Sequence, residues 1–216
     1  TYHIPEGMTT MEGALVEPAA VGMHAAVLGG AQPGKSIVIL GGGTIGLMVL
    51  QACISLGATD ITVVDVIEKR LELAKKLGAA RVINGKEEDT VAVLRSEEMY
   101  GDHGVDLVFE AAGAVFTAQQ AVQIVSRGGK IMMVGTQSKP VPIDFLKINR
   151  EVTIQTSFRY CNNFPQTIEA ISSGRFNVKD MVTNIYDYED VQKAFEEAID
   201  PVKKTEMVKG VIKVAE

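Results

Sequence analysis

Ser36-Ile37-Val38-Ile39-Leu40-Gly41-Gly42-Gly43-Thr44-Ile45-Gly46 is the stretch that decides the fold. Its first five residues form an apolar run of strand length, bounded by Gly34 before and three glycines after. Such a run suits a strand buried on both faces, as in a parallel sheet. Gly41, Gly43 and Gly46 then space out as G-x-G-x-x-G, and Thr44 to Leu56 continues as an apolar helix closed by Gly57. Between a strand and a helix each glycine has a physical reason. The first allows the tight turn, the second lets the backbone approach a pyrophosphate, and the third permits close packing of helix on strand. The unpaired N–H groups and positive end of the helix make a seat for an anion. Glycine-rich turns also serve as plain connections, so the pattern needs support from its surroundings.

Outward from this turn the chain alternates. Ile61 to Asp65 reads as a second strand and Glu68 to Leu77 as a helix closed by Gly78. Arg81 to Ile83 is a short third strand, followed by a polar, acidic helix near Glu87 to Met99. Val105 to Phe109 is a fourth strand, Phe116 to Val125 a helix, and Lys130 to Val134 and Val152 to Phe158 two further strands. Alternation of this kind implies parallel pairing, because a helix must return the chain for each right-handed crossover. The expected fold is a doubly wound α/β domain with a six-stranded parallel sheet and helices on both faces. Before it, Thr9 or Thr10 caps a helix whose apolar residues Met11, Ala14, Leu15 and Pro18 face one way and which Pro18 kinks or restarts, and a second helical stretch runs from Ala19 to Leu28. After Phe158 come helices at Phe164 to Ser172 and Tyr188 to Ala198 and a terminal strand from Val208 to Val214. Residues 1–34 therefore read as a linker and helix, 35–160 as the nucleotide-binding domain, and 161–216 as a C-terminal segment.

Composition narrows the function. The 216 residues are 46% hydrophobic and 22% charged, an ordinary globular balance, and carry a net charge of −6. An acidic chain is a poor non-specific ligand for nucleic acid, whose affinity comes mostly from Lys and Arg on phosphates. No apolar run has the roughly 18 residues needed to cross a bilayer, so no membrane association is expected and a cytoplasmic location is the default. Cys53 and Cys161 stand apart with no CxxC or CxxH spacing, which gives neither a disulfide framework nor a zinc knuckle.

Asp65 supplies the support that the glycine turn needs. It ends the second strand 19 residues after Gly46, where an acidic residue about 20 on holds the ribose hydroxyls of a dinucleotide. A carboxylate there repels a 2′-phosphate, and Val66 and Ile67 supply no adjacent cation, so NAD is favoured over NADP. Arg70, one turn into the next helix, can cover the adenine-ribose edge, reach a phosphate or simply be solvated. Ala111, after the fourth strand, and Val134 with Thr136, after the fifth, lie at carboxyl ends of strands, the edge where open α/β sheets bind ligands.

Three segments stand out as a set: Glu12-Gly13-Ala14-Leu15-Val16-Glu17-Pro18, the glycine turn with Asp65 and Arg70, and Phe158-Arg159-Tyr160-Cys161-Asn162. Together they resemble the sorbitol (L-iditol) dehydrogenase branch of the zinc-dependent medium-chain dehydrogenases. The resemblance implies a two-domain subunit whose N-terminal GroES-like domain carries most ligands of a catalytic zinc and is absent here; residues 161–216 would return toward it. It further implies that Glu17 stands beside the zinc and its water, as second shell or occasional ligand, and that Arg159 reaches substrate and Glu17. Phe158, Val134 and Thr136 would line the nicotinamide, with Gly41, Gly43, Thr44, Ile45, Gly46, Asp65, Arg70, Ala111 and Arg159 completing the cofactor site. The activity implied is hydride transfer from a secondary hydroxyl of a polyol such as sorbitol, xylitol or iditol to NAD, by a homo-oligomer assembled through the cofactor domain, with a sheet edge near Lys130 to Phe145 pairing across a dimer. Threonine and butanediol dehydrogenases are near alternatives. A non-catalytic NAD(H)-binding module is a different class of reading, and a zinc-free quinone reductase is disfavoured by Asp65, Glu17 and Arg159. A catalytic zinc needs about three protein ligands, and His3, His24, His103, Cys53 and Cys161 offer no pair at ligand spacing. His3 and His103 read as solvated, Cys53 as core, and His24, one or two helical turns from Glu17, as within reach of the cofactor.

Overall fold

The computed structural model describes residues 1–148 and 150–214. A 20-residue helix, α1 (Thr10–Gly29), precedes the alternating region. Thr9 is its N-cap: the hydroxyl accepts from Glu12 N, while the Glu12 carboxylate accepts from Thr9 N at 2.8 Å. This reciprocal box satisfies two orphan donors of the first turn. The helix runs uninterrupted through Pro18, which corrects the expectation of two helical pieces. Proline removes one backbone bond at a cost of about 3 kcal/mol. Burial of Leu15, Val16, Ala19, Met23 and Ala26 along the same helix offsets it.

The alternating region then proceeds as β1 (Ser36–Leu40), α2 (Thr44–Ser55), β2 (Asp60–Asp65), α3 (Glu68–Lys76), β3 (Arg81–Asn84), α4 (Thr90–Leu94), β4 (Val105–Glu110), α5 (Val115–Ile124), β5 (Val125–Met133) and β6 (Thr153–Thr156). The strands are parallel in the order β3-β2-β1-β4-β5-β6. Side chains alternate across the sheet. Ile37 and Ile39 enter a core shared with α1 and α2, while Val38 and Leu40 enter a second core on the other face. Strand order reverses between β1 and β4, the switch point where such sheets bind ligands.

Several boundaries move for identifiable reasons. The acidic helix expected over Glu87 to Met99 is only Thr90–Leu94, capped by Asp89. The Arg95 guanidinium beyond it donates to carbonyls of Gly101, Asp102, Gln123 and Val125, tying down an irregular loop instead. β5 begins at Val125, five residues before the expected start, because Val125 pairs with Val105 ahead of a register shift that brings Lys130 opposite Leu107. Lys130 to Met133 pair with β4 on one side and β6 on the other, so the sheet edge on this side is β6 and not the strand that holds Lys130.

Beyond the sheet, α6 (Phe164–Ser172) packs on α1 and sends Ile168 and Ile171 into the main core, joined by Phe176, Val178 and Met181. The remaining segment forms its own two-stranded parallel sheet from β7 (Val182–Asp187) and β8 (Lys209–Lys213), with α7 (Val191–Ile199) and the short α8 (Lys203–Glu206) between them. The terminal strand expected over Val208 to Val214 is thus found, with a partner, β7, that the sequence pattern does not announce.

Candidate functional site

The glycine turn follows β1 at the switch point. Gly41 has φ +110°, and a Cβ there would stand 2.8 Å from the Ala112 backbone nitrogen, so both conformation and space require glycine. Gly46 is more constrained: its Cβ would fall 1.8 Å from the Gly41 carbonyl oxygen. Gly43, the N-cap of α2, has no side-chain cap bond, and the nearest atom to its hypothetical Cβ is an Arg70 nitrogen 3.9 Å away. The backbone at the start of α2 is therefore accessible, and its unpaired N–H groups can receive an anion.

Asp65 lies at the end of β2 and is 9% exposed. Its Oδ2 accepts from Gly42 N at 2.7 Å, and its Oδ1 from Val66 N and Ile67 N at 2.8 and 2.9 Å. Arg70 Nη1 stands 3.7 Å from Oδ2, and Arg70 Nη2 donates to the Lys204 carbonyl at 3.3 Å. A carboxylate offers about four lone-pair positions. Three are occupied by the backbone, so Asp65 first shapes the turn and then offers its remaining position on Oδ2 to a ligand.

Two cavities flank this turn and divide the expected residues between them. One, of about 450 Å³, is lined by Gly41, Gly43, Asp65, Arg70 and Ala111. The other, of about 850 Å³, is lined by Ile45, Val134, Thr136, Phe158 and Arg159. Every buried side-chain polar atom without a partner, among the described residues, belongs to a residue lining one of these cavities. Arg70 Nε and Thr90 Oγ1 belong to the first; Gln137 Oε1 and Ser157 Oγ belong to the second. Buried polar groups are otherwise almost always paired, which marks both cavities as places for a polar ligand.

The other expected positions fall as follows. The Thr44 hydroxyl donates to the Val208 carbonyl and so faces the C-terminal segment, leaving only its backbone to the turn. Arg159 adopts φ +51°, in the left-handed region, and its guanidinium lies 5.4 Å from the Phe158 ring centroid. Non-glycine residues held there cost about 1–2 kcal/mol and concentrate at functional sites. Glu17 is exposed on α1, one turn before Val21, which lines the second cavity. No ion pair joins Glu17 to Arg159 among the described residues. His24 Nδ1 meets Asn163 Oδ1 at 3.0 Å and so joins α1 to the start of α6. His3 and His103 are exposed, and Cys53 is wholly buried, where desolvation pushes its thiol pKa far up. Sequence reasoning missed the first cavity's wall on α5, formed by Phe116, Thr117 and Gln120, and its floor at Gly85 and Thr90. The available signal was position, since α5 starts at the carboxyl end of β4.

A family model described as zinc-binding dehydrogenase matches residues 44–173, more than half of the chain. The chain belongs to that family. An uncharacterized zinc-type alcohol dehydrogenase-like protein of Escherichia coli (strain K12) is 62% identical over 216 residues, covering 100% of this chain and 61% of that protein. A sorbitol dehydrogenase of Bacillus subtilis (strain 168) is 40% identical over 201 residues, covering 92% of this chain and 56% of the relative. Among solved structures, an Escherichia coli oxidoreductase/dehydrogenase of unknown specificity superimposes with a TM-score of 0.95 at 61% identity, covering 100% of this chain and 61% of that one. The chain thus spans about 56–61% of these relatives' length.

Within this member of the zinc-binding dehydrogenase family, no three His, Cys, Asp or Glu side chains converge among the described residues in a group that could hold a metal ion. The described residues by themselves do not form a zinc site. The dinucleotide case is different: an open backbone at a helix start, an acid on the neighbouring strand and two cavities with unpartnered polar atoms fit an elongated anionic ligand. No helix among the described residues is long and apolar enough to cross a membrane.

Proposed function

We propose that this chain is the NAD-binding part of an oxidoreductase that moves hydride between a secondary hydroxyl of a polyol and the cofactor. One observation carries the reading: two separate cavities flank the Gly41–Gly46 turn, and the acid Asp65 lines only the first. The open amides at the start of α2 hold the pyrophosphate. Asp65 accepts a ribose hydroxyl and disfavours a 2′-phosphate, while Arg70 covers the edge of the adenosine cavity. Ile45, Val134 and Phe158 give the opposite cavity apolar surface for one face of a nicotinamide ring, and Thr136 adds a hydroxyl at its edge. That ring, when bound, supplies the hydride acceptor. Isothermal calorimetry on this chain should show NAD binding more tightly than NADP; the reverse preference would remove the cofactor reading.

Glu17 and Arg159 belong to the substrate end of this proposal. Arg159 lines the second cavity, and Glu17 precedes Val21 by one helical turn on the α1 face that reaches it. In a longer protein containing this chain, Glu17→Gln should lower kcat for polyol oxidation roughly 100-fold, about 2.7 kcal/mol in the barrier, with KM for NAD nearly unchanged. Unchanged turnover would take Glu17 out of the site. The alternative of a non-catalytic NAD(H)-binding module draws on the described residues alone, among which no group of three metal-ligating side chains converges. Metal content and polyol oxidation, measured side by side on this chain and on a longer protein, separate the two.

A further inference from the structure

Glu110 ends β4 and is 0% exposed, yet none of the ion pairs among the described residues includes it. Burying a carboxylate is costly unless its lone pairs are filled, and here they are filled by groups from three separate places. Oε1 accepts from Ala112 N at 3.0 Å, Gly113 N at 2.9 Å and Thr117 Oγ1 at 2.7 Å. Oε2 accepts from Gln137 Nε2 at 2.7 Å. The Glu110 carbonyl in turn accepts from Val134 N and Gly135 N, both at 2.8 Å. Ala112 and Thr117 line the first cavity, whereas Gly135 and Gln137 line the second. A single carboxylate therefore touches the walls of both. The approach is close enough that a Cβ on Gly135 would lie 2.9 Å from Oε2 and 2.3 Å from Gly113 N.

We propose that Glu110 is a positioning residue that holds the wall of the hydride-side cavity in register with the adenosine-side cavity, acting through Gln137 on one oxygen and the 112–113 turn on the other. The inference rests on the NAD reading above. Gln137 directs its Nε2 at Glu110 Oε2, and its Oε1, buried and unpartnered, is thereby fixed in direction. The 134–137 segment is tied to β4 by this side-chain bond in addition to its two backbone bonds. Loosening it should disturb the second cavity and leave the first in place.

The two halves can be read separately on this chain, with ADP-ribose probing the glycine turn and first cavity and NADH probing both. Gln137→Glu sets two carboxylates face to face. Its NADH affinity should fall at least about tenfold, the equivalent of one hydrogen bond to a charged group, while ADP-ribose affinity stays within about twofold of wild type. Adding Glu110→Gln to that variant restores the bond with donor and acceptor exchanged, and NADH affinity should recover to within about threefold. Gln137→Leu, which cuts the same bond without adding charge, gives the same comparison should Gln137→Glu not fold. Equal losses for NADH and ADP-ribose, no loss at all, or a folded double variant without recovery would overturn the proposal. A wild-type chain that binds neither ligand would instead sink the NAD reading itself, and this inference with it.

Discussion

Gly46→Ala should abolish NAD binding and destabilise the chain by about 4 kcal/mol or more, at the severe end for a single substitution. The added methyl carbon would sit 1.8 Å from the Gly41 carbonyl oxygen, 2.9 Å from its carbonyl carbon and 3.5 Å from Ile39 Cγ2. The first two obstacles are backbone, and that backbone is pinned by the Gly41 N–H bonded to the Val64 carbonyl at 2.8 Å. No rotamer change relieves the contact, so α2 must move away from β1. Leu47, Met48, Val49 and Leu50 on α2 are each 0% exposed, and a shift of that helix opens voids around all of them. With a domain's total stability of about 5–15 kcal/mol, much of the margin disappears. Gly30→Ala is the control. Gly30 also has positive φ, +77°, but nothing lies within 4 Å of its Cβ position, so its cost is only the conformational about 1–2 kcal/mol. Urea denaturation of both variants checks the contrast; a Gly46→Ala protein within about 1 kcal/mol of wild type would show that helix-to-turn packing is not what the third glycine protects.

What the sequence makes legible follows from how local each feature is. β1, its three glycines and Asp65 are adjacent or at a fixed offset, and each is readable because a strand, a turn and a second strand set the spacing. Pro18 misleads because the local rule against proline in a helix is overruled by burial of the residues around it, which no local pattern reports. β7 is missed because Val182-Thr183-Asn184-Ile185-Tyr186-Asp187 is half polar and pairs with a strand that begins at Lys209, so its stabilising partner is remote. α4 shrinks for the same kind of reason, since Arg95 finds carbonyl acceptors as distant in sequence as Val125.

The site divides in the same way. Gly41 and Gly43, which the proposed cofactor site uses through their backbone, carry that role in their identity. Glu110 does not: as a sequence feature it is an acid closing an apolar strand, and its role exists only because Ala112, Gly113, Thr117 and Gln137 converge on it. Phe116 and Gln120 face the first cavity because α5 starts where it does, and helix periodicity alone does not distinguish them from core. Glu17 and Arg159 are legible only through family resemblance. In the structure one lies a turn from the second cavity and the other lines it, each exposed.

Asp65→Asn should cost NAD about 100-fold in affinity and shrink the preference over NADP by a similar factor, the equivalent of a hydrogen bond to a charged group at about 1.5–3 kcal/mol. The substitution is isosteric but cannot be neutral, because both carboxylate oxygens accept backbone N–H groups. An asparagine that turns its oxygen to Val66 N and Ile67 N, replacing Oδ1, presents an NH2 to Gly42 N, which now lies 2.7 Å from Oδ2. Two donors at that distance repel, so the glycine turn is pushed from the position proposed to receive the pyrophosphate. The opposite orientation leaves two donors facing the NH2 instead of one. Charge acts separately from shape. Without the carboxylate, the 2′-phosphate of NADP meets no repulsion, and Arg70, 3.7 Å from Oδ2 in the native chain, is released to meet it. NADP affinity should therefore fall much less than NAD affinity, or rise. Calorimetric titration of wild type and variant with both dinucleotides measures the ratio directly. If both affinities drop by one common factor, Asp65 acts only as a brace for the glycine turn; if the ratio collapses, the same side chain also selects the ribose.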